Sequence, residues 1–250
     1  MNKTKKINDL RKKLKNKKPS IGSWIQIDNS DSAELLASSG YEWIAVDLEH
    51  GNISTSNIAN IFRSIELQNC IPFVRVGSHD LFKCKQALDL GALGLILPNI
   101  NDHEQLETII YNCTYPPNGR RGVGFCRANL YGKEFNNYKK FAQKPFFVAM
   151  IEDAQAIGNI EKIVNVNGLD AIFIGPYDLS ASLGCIGDFK SKKFTDALNK
   201  IRVTSARFKI PTGIHVVKND KTLLKKYINQ GYTFISYSMD SIFLSENFIK

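Results

Sequence analysis

The chain has 250 residues, of which 43% are hydrophobic and 23% charged, as is ordinary for a folded globular protein. A chain of this length buries a large core without covalent staples. The five cysteines form no CxxC pair and no cluster with histidine, which argues against a disulfide framework or a zinc site. No apolar run is long enough for a membrane span, and no signal peptide is recognisable. We therefore expect a cytoplasmic protein with no membrane partner.

The start of the chain is strongly basic and accounts for much of the net charge of +9. Residues 1–20 carry nine Lys or Arg and a single acid, Asp9. Ile7, Leu10 and Leu14 recur at helical spacing, which predicts a basic N-terminal helix within residues 1–19 that packs on the domain. The alternative is a non-enzyme whose basic tract binds nucleic acid. We expect the packed helix and no nucleic-acid partner.

Short apolar runs alternate with amphipathic stretches along the rest of the chain. The runs lie at 21–27, 43–48, 72–76, 93–98, 146–152, 171–175, 212–217 and 233–238. Such runs are typical of strands buried on both faces of a parallel sheet. Helical patterns lie between them at 32–40, 80–91, 102–113, 156–168, 193–208 and 220–231.

This alternation predicts right-handed βαβ units. Eight strands in 250 residues predict an α/β fold, a single (β/α)8 TIM barrel spanning residues 1–250. An open doubly wound sheet is the alternative, but the sequence has neither a GxGxxG nor a GxxxxGK[ST] loop to favour it.

Residues 114–145 interrupt the rhythm with two adjacent prolines, several glycines, three arginines and many aromatic residues. A long irregular segment inside a compact domain is usually functional. We therefore expect a long loop after strand 4 that lies over one end of the barrel.

Polar residues stand where several of the apolar runs end, and barrel enzymes take their catalytic groups from these strand ends. Glu152 follows the fifth run and Asp178 the sixth. Two carboxylates brought close together would repel each other and raise one pKa, unless a divalent cation lies between them. With oxygen ligands alone, Mg2+ or Mn2+ is expected. Alternatively, each carboxylate caps a helix or pairs with a lysine.

Three other strand-end residues suggest acid–base chemistry and anion binding. Asp47 and His50 lie in the sequence DLEH, where a carboxylate could orient the imidazole for proton transfer. Arg75 lies inside an apolar run, where a guanidinium requires a compensating anion. That anion is a substrate carboxylate or, alternatively, an acid of the barrel itself. The turn GPYDLS at 175–180 offers main-chain N–H groups to an anion, a weak signal by itself.

Several motifs, taken in order, resemble one family over residues 19–245. They are IGSW at 21–24, the segment 32–50 ending in DLEH, VRV at 74–76, YPPNGRRGVG at 115–124, RANLYG at 127–132, IED at 151–153 and FIGPYDLSASLG at 173–184. The chain is similar to the HpcH/HpaI aldolases, metal-dependent enzymes that act on 2-keto-3-deoxy and related acids. The resemblance implies aldol cleavage or condensation between pyruvate, or a similar 2-oxo acid, and an aldehyde. The reaction would pass through an enolate stabilised by Mg2+, Mn2+ or Co2+.

The resemblance also implies a role for each site residue. It gives metal ligation to Glu152 and Asp178, proton transfer to His50 with Asp47, and enolate binding to Arg75. Substrate contacts are implied for Trp24, Val123, Gly175, Pro176 and Tyr177. His215, near the end of the seventh run, would add a contact on the acceptor side by its position rather than by the resemblance. A homo-oligomer, typically a hexamer, is expected.

The chain departs from the family pattern at three places. Met150 replaces a glutamine two residues before Glu152, His215 replaces an aliphatic residue, and Tyr237 and Met239 replace smaller ones. The changes lie on the acceptor side, so we expect a polar or sugar-derived aldehyde. Decarboxylation of oxaloacetate or a related diacid at the same site is the alternative.

Overall fold

The computed structural model describes residues 2–246 and forms a closed barrel of eight parallel strands in chain order. The strands are β1 (Ser20–Ile25), β2 (Trp43–Asp47), β3 (Ile71–Arg75), β4 (Gly94–Leu97), β5 (Phe146–Ile151), β6 (Ala171–Ile174), β7 (Thr212–Val216) and β8 (Phe234–Met239). Pairing of β1 with β8 closes the barrel. All eight predicted strands are present, and the predicted TIM barrel is confirmed.

Helices lie between successive strands, before β1 and after β8. They are α1 (Lys3–Lys15), α2 (Ser30–Ser38), α3 (Thr55–Leu67), α4 (Leu81–Leu90), α5 (His103–Cys113), α6 (Phe135–Ala142), α7 (Ala154–Gly158), α8 (Ile160–Val164), α9 (Pro176–Ser182), α10 (Lys192–Arg207), α11 (Lys221–Asn229) and α12 (Asp240–Ser245). The sequence patterns did not predict α3, although Ile58, Ile61, Phe62 and Ile65 give it a buried helical stripe. The single helix expected over 156–168 is divided into α7 and α8.

Side chains of each strand alternate between two apolar regions. One lies between the barrel and its helices, and the other fills the barrel interior. Near the start of the strands the interior is filled by aromatic rings, with Trp43 stacked on Phe234 at 4.4 Å between ring centroids. The interior is therefore a packed core, and polar side chains collect at the carboxyl ends of the strands.

The basic N-terminal helix packs on the barrel as predicted, with Ile7, Leu10 and Leu14 buried in the interior cluster. Arg11 anchors it beside the start of β5. The guanidinium lies 2.6 Å from Asp170 and donates to the main-chain carbonyls of Lys144 and Pro145 at 3.0 and 2.9 Å. The helix α1 thus covers the amino-terminal end of the barrel, opposite the strand ends that carry the polar residues.

Residues 114–145 are more ordered than the expected loop, since they contain a 3-10 helix at Arg127–Gly132 and the helix α6. Tyr138, Phe141 and Ala142 form a buried stripe on α6 among many Lys and Asn residues, which hid the helical pattern. The segment covers one end of the barrel, as predicted, and that end is the amino-terminal one. There α6 packs against α1, and Arg121 bonds to Asp89 near the end of α4.

Candidate active site at the carboxyl end of the barrel

Asp47 and Arg75 form the centre of the polar cluster at the carboxyl ends of the strands. They end β2 and β3 as direct register partners, and Asp47 is fully buried. Arg75 donates from Nε and Nη2 to the two oxygens of Asp47 at 2.8 and 2.6 Å, and its Nη1 lies 3.0 Å from Glu49. The face of Trp24 covers the guanidinium at 4.5 Å. The barrel's own acids therefore compensate the buried arginine.

Burial opposes ionisation of Asp47, but the hydrogen bonds and charge of Arg75, aided by Gln26, hold its pKa below the usual value. Gln26 donates to Asp47 at 2.9 Å, and its amide oxygen accepts from the hydroxyl of Ser241 at 3.0 Å. The main-chain N–H of Gln26 is in turn bound by Asp240 at 2.9 Å. The side-chain amide of Gln26, which follows β1, therefore holds Asp47 in addition to the two hydrogen bonds from Arg75.

His50 lies near Asp47, but the expected contact between its ring and that carboxylate differs in the structure. Asp47 accepts the main-chain N–H of His50 at 3.2 Å, while both carboxylate oxygens bind Arg75. The imidazole side chain is 59% exposed, and its Nε2 lies 3.9 Å from Glu49. The carboxylate that lies near the ring is therefore Glu49, two residues after Asp47 in the sequence.

Glu152 follows β5 and is almost completely buried. Its Oε2 accepts the main-chain N–H of Asn99 at 2.9 Å. Burial raises the pKa of Glu152 to about 7, with the Asn99 bond opposing this and the charges of Asp178 and Glu49 adding to it. The predicted repulsion between Glu152 and Asp178 is thus present, but burial has the larger effect.

The turn after β6 brings the next predicted residues beside Glu152. Gly175 lies so close that an added Cβ would meet Glu152 Oε1 at 2.4 Å, so a larger residue would displace the carboxylate. Pro176 is buried at the start of α9, and Asp178 lies exposed in its first turn. Tyr177 is partly exposed and packs edge-on against Phe189 at 5.1 Å.

His215 points into the barrel, where its ring stacks on Trp24 at 5.4 Å between centroids. Nε2 lies 3.4 Å from the carbonyl oxygen of Ser238. Burial lowers the pKa of His215 to about 3, so the imidazole is neutral near neutral pH. Trp24 contacts both His215 and Arg75 and so connects the imidazole to the ionic cluster.

The other departures from the family pattern have different surroundings. Tyr237 points out of the barrel, and its hydroxyl donates to Asn219 at 2.5 Å, so it cannot add a hydroxyl to the site. Met150 fills the barrel interior, and Met239 packs against the interior cluster as the register partner of Trp24.

Val123 lies far from these residues within the same chain. It is 55% exposed and belongs to the segment that covers the amino-terminal end of the barrel. Its neighbours are held there, since Arg121 bonds to Asp89 and the carbonyl of Gly124 accepts from Asn129.

The structure brings together Trp24, Asp47, Arg75, Glu152 and His215 with the turn of α9, and leaves Val123 apart. In residues 2–246, no group of three or more His, Cys, Asp or Glu side chains is arranged to hold a metal ion. The same residues contain no helix that is both long and apolar enough to cross a bilayer.

A parallel barrel whose carboxyl end collects carboxylates, a guanidinium and an imidazole has the architecture of a barrel enzyme. The family model of HpcH/HpaI aldolase/citrate lyase matches residues 20–246. The chain therefore belongs to the HpcH/HpaI aldolase/citrate lyase family. It is a carbon–carbon lyase of the aldolase type.

Individual relatives agree with this assignment. 4-Hydroxy-2-oxovalerate aldolase of Novosphingobium aromaticivorans is 35% identical over 94% of this chain and 89% of that protein. 2-Dehydro-3,6-dideoxy-6-sulfogluconate aldolase of Pseudomonas putida is 32% identical over 91% of this chain and 89% of that protein. The crystal structure of a family member from Burkholderia cenocepacia has a TM-score of 0.89 at 29% identity, covering 96% of this chain and 95% of that one. The resemblance and the aldolase activity predicted from the sequence are confirmed at this level.

Proposed function

We propose that the enzyme cleaves or forms an aldol bond between pyruvate, or a similar 2-oxo acid, and a polar aldehyde, at the carboxyl end of its barrel and with the help of a divalent cation. The observation that carries the proposal is the buried carboxylate of Glu152, which lies against Gly175 at the start of the turn that carries Asp178. Burial and negative neighbours raise its pKa to about 7, and a bound cation would relieve both penalties.

Glu152 and Asp178 would hold the cation. Both offer oxygen donors, which suit Mg2+, Mn2+ or Co2+ and leave other coordination positions to water and substrate oxygens. When bound, the cation supplies Lewis-acid polarisation of the 2-oxo group. Gly175 supports this role, because its missing side chain leaves Glu152 in place.

Arg75 would bind the oxo acid and the enolate oxygen that develops from it. Asp47 and Glu49 bind different nitrogens of the guanidinium and Trp24 covers its face, so its orientation is set before substrate binds. The peptide groups of Gly175, Pro176 and Tyr177 would lie along the bound carboxylate.

His50 would move the proton between the methyl carbon and solvent, directly or through a water molecule. Its exposed ring can exchange protons with bulk water, and once protonated it would be attracted to Glu49, 3.9 Å away. Asp47 would act on His50 through the main chain and on Arg75 directly.

A polar aldehyde is favoured by the surroundings of His215. The buried Trp24 Nε1 and Ser238 Oγ have no hydrogen-bond partner within the part of the chain that the structure describes. Buried polar atoms of this kind favour a ligand that can bond to them. One relative is named for a sulfonated sugar acid, which agrees with a polar acceptor.

A homo-oligomer, a hexamer by the family resemblance, would account for a group of exposed apolar residues. Val123, Phe125, Leu130 and Tyr131 are each more than half exposed within one short segment. Val123 could line a substrate pocket only in a neighbouring copy, because the active site of its own chain lies at the opposite end of the barrel. Light scattering on the purified protein measures the assembly, and a monomer would exclude this role for Val123.

The test of the proposal is exchange of the pyruvate methyl protons in D2O, followed by proton NMR. EDTA should stop the exchange and Mn2+ should restore it. Glu152→Gln and Asp178→Asn should bind Mn2+ weakly, and His50→Ala should exchange roughly 10²–10⁴-fold more slowly, the usual contribution of a placed acid or base. Full exchange in excess EDTA would exclude the metal. Rapid loss of CO2 from oxaloacetate with no aldol product would favour the decarboxylase alternative.

A further inference from the structure

The peptide group between Pro98 and Asn99 holds the buried carboxylate of Glu152. The N–H of Asn99, in the peptide that joins Pro98 to Asn99, donates to Glu152 Oε2 at 2.9 Å. Asn99 has a φ of 49°, a left-handed conformation that asparagine tolerates better than most residues. The chain after β4 therefore turns so that this N–H points toward the end of β5.

The carbonyl of the same peptide is held from the opposite side. Pro98 O is hydrogen-bonded to Nε2 of His79, in the loop after β3. A carbonyl can only accept, so Nε2 must carry the proton. Gln105 Nε2 on α5 lies 2.5 Å from His79 Nδ1 and, as an amide nitrogen, can only donate. Gln105 therefore fixes the ring in the tautomer that binds Pro98.

The geometry points to His79 as a positioning residue for Glu152, acting through the peptide between Pro98 and Asn99 and supported by Gln105. The inference rests on the proposed function, in which Glu152 is a metal ligand. A hydrogen bond to a peptide carbonyl also polarises its N–H, so the two bonds reinforce each other. Partners that orient a ligating carboxylate in this way typically change metal affinity by about 10–100-fold.

A purely structural role makes a different prediction. His79 joins the loop after β3 to the loop after β4, and loss of this link alone would lower stability without changing the metal affinity of the folded protein. Metal affinity, measured apart from activity, separates the two roles.

The experiment is titration of the purified full-length protein with Mn2+ in a calorimeter, with circular dichroism to confirm folding at the same temperature. His79→Leu should weaken Mn2+ binding about 10-fold, the lower end of the usual range. His79→Gln should restore most of the affinity, because its amide can donate to Pro98. His103→Leu, a histidine change on the same helix as Gln105, is the matched control and should bind as the wild type does.

Equal Mn2+ affinity of wild type and folded His79→Leu would overturn the inference. If His79→Leu does not fold, Gln105→Leu tests the inference instead. It keeps the imidazole of His79 and removes the amide that orients it. This variant should also bind Mn2+ more weakly, and wild-type affinity would overturn the inference. A wild-type protein that does not bind Mn2+ would instead overturn the proposed function.

Discussion

Both oxygens of Asp47 bind one guanidinium, that of Arg75, at 2.8 and 2.6 Å. The two residues are register partners at the ends of adjacent strands, so the barrel itself sets their distance. The remaining guanidinium nitrogen faces Glu49, and Trp24 covers the plane of the group. Arg75 is therefore oriented on three sides, which a flexible cation could not reproduce.

Arg75→Lys should slow pyruvate methyl exchange and weaken pyruvate binding by roughly 10- to 100-fold, the equivalent of one charged hydrogen bond. A lysine ammonium keeps the charge but cannot donate two parallel hydrogen bonds to Asp47 while its plane stacks on Trp24. Proton NMR in D2O measures the exchange. Arg63→Lys, an exposed arginine of α3, is the matched control. Wild-type exchange in Arg75→Lys would contradict the role of guanidinium geometry.

Gln26→Glu should slow the same exchange, and the loss should deepen as pH rises. At low pH the introduced carboxyl group is protonated and can donate to Asp47 as the amide does, whereas its ionised form would repel Asp47. The pH–rate profile of exchange measures this effect. Gln68→Glu is a close control, because Gln68 also donates to a carboxylate, that of Glu34, away from the site. A profile parallel to that of the wild type would show that Gln26 does not position Asp47.

The sequence identified the charged residues at the strand ends, but it did not show which side chains they contact. Asp47, Arg75 and Glu152 were found because each is a charged residue at the end of an apolar run. The partner of Asp47 was missed because cross-strand register, which pairs it with Arg75, is not visible within one run. Gln26 and Glu49 were visible as polar strand-end residues, but their contacts depend on the same register.

The sequence also did not show which strand side chains face the barrel interior and which face the helices. In β8, Ser236 and Ser238 alternate with Ile235 and Tyr237, yet all four are buried, so the alternation could not show that Tyr237 points toward the helices. Val123 illustrates a limit of a different kind. The segment 114–145 follows α5, which returns the chain to the amino-terminal end, and only the fold shows which end the segment covers.

Arg11→Ala should lower the free energy of unfolding by about 2 kcal/mol, because a mostly buried guanidinium loses its bonds to Asp170 and two carbonyls. Part of the ion pair is reached by solvent, so the loss should stay below that of a fully buried pair. Urea unfolding followed by circular dichroism measures the change. Lys12→Ala removes an exposed charge from the same helix and should have little effect. Equal stabilities of the two variants would mean that α1 is held by its apolar face alone.

His215 should make the stability of the protein fall in mild acid. Burial lowers its pKa in the folded state to about 3, against 6.5 for the ordinary imidazole. The unfolded chain therefore binds the extra proton between these values, and this contribution to stability is complete above pH 6.5 and lost as pH falls toward 3. His215→Leu removes the effect.

Between pH 8 and pH 5.5, the free energy of unfolding of the wild type should fall by about 1 kcal/mol more than that of His215→Leu. This is the cost of lying one pH unit below the pKa of the unfolded imidazole. Urea unfolding of both proteins at the two pH values measures it. An identical pH dependence would show that His215 is solvated or protonated in the folded protein.

His215 should also determine acceptor choice. It faces the barrel interior beside Trp24, where the neutral ring can donate or accept one hydrogen bond. Sites that bond a substrate hydroxyl discriminate against analogues without it much more strongly than apolar pockets discriminate by size. Glyceraldehyde and propanal have the same number of carbons and differ in two hydroxyls. The wild type should therefore prefer glyceraldehyde in aldol addition to pyruvate.

His215→Leu should lower the ratio of kcat/KM for glyceraldehyde to that for propanal by roughly 10-fold, the equivalent of one hydrogen bond. His215→Gln should keep most of the preference, since its amide can bond to a hydroxyl. Because the carbon count is matched, a change in the ratio reports polar recognition rather than pocket size. Parallel changes with both aldehydes would assign His215 to packing around Trp24, and an unchanged ratio would remove it from the acceptor site.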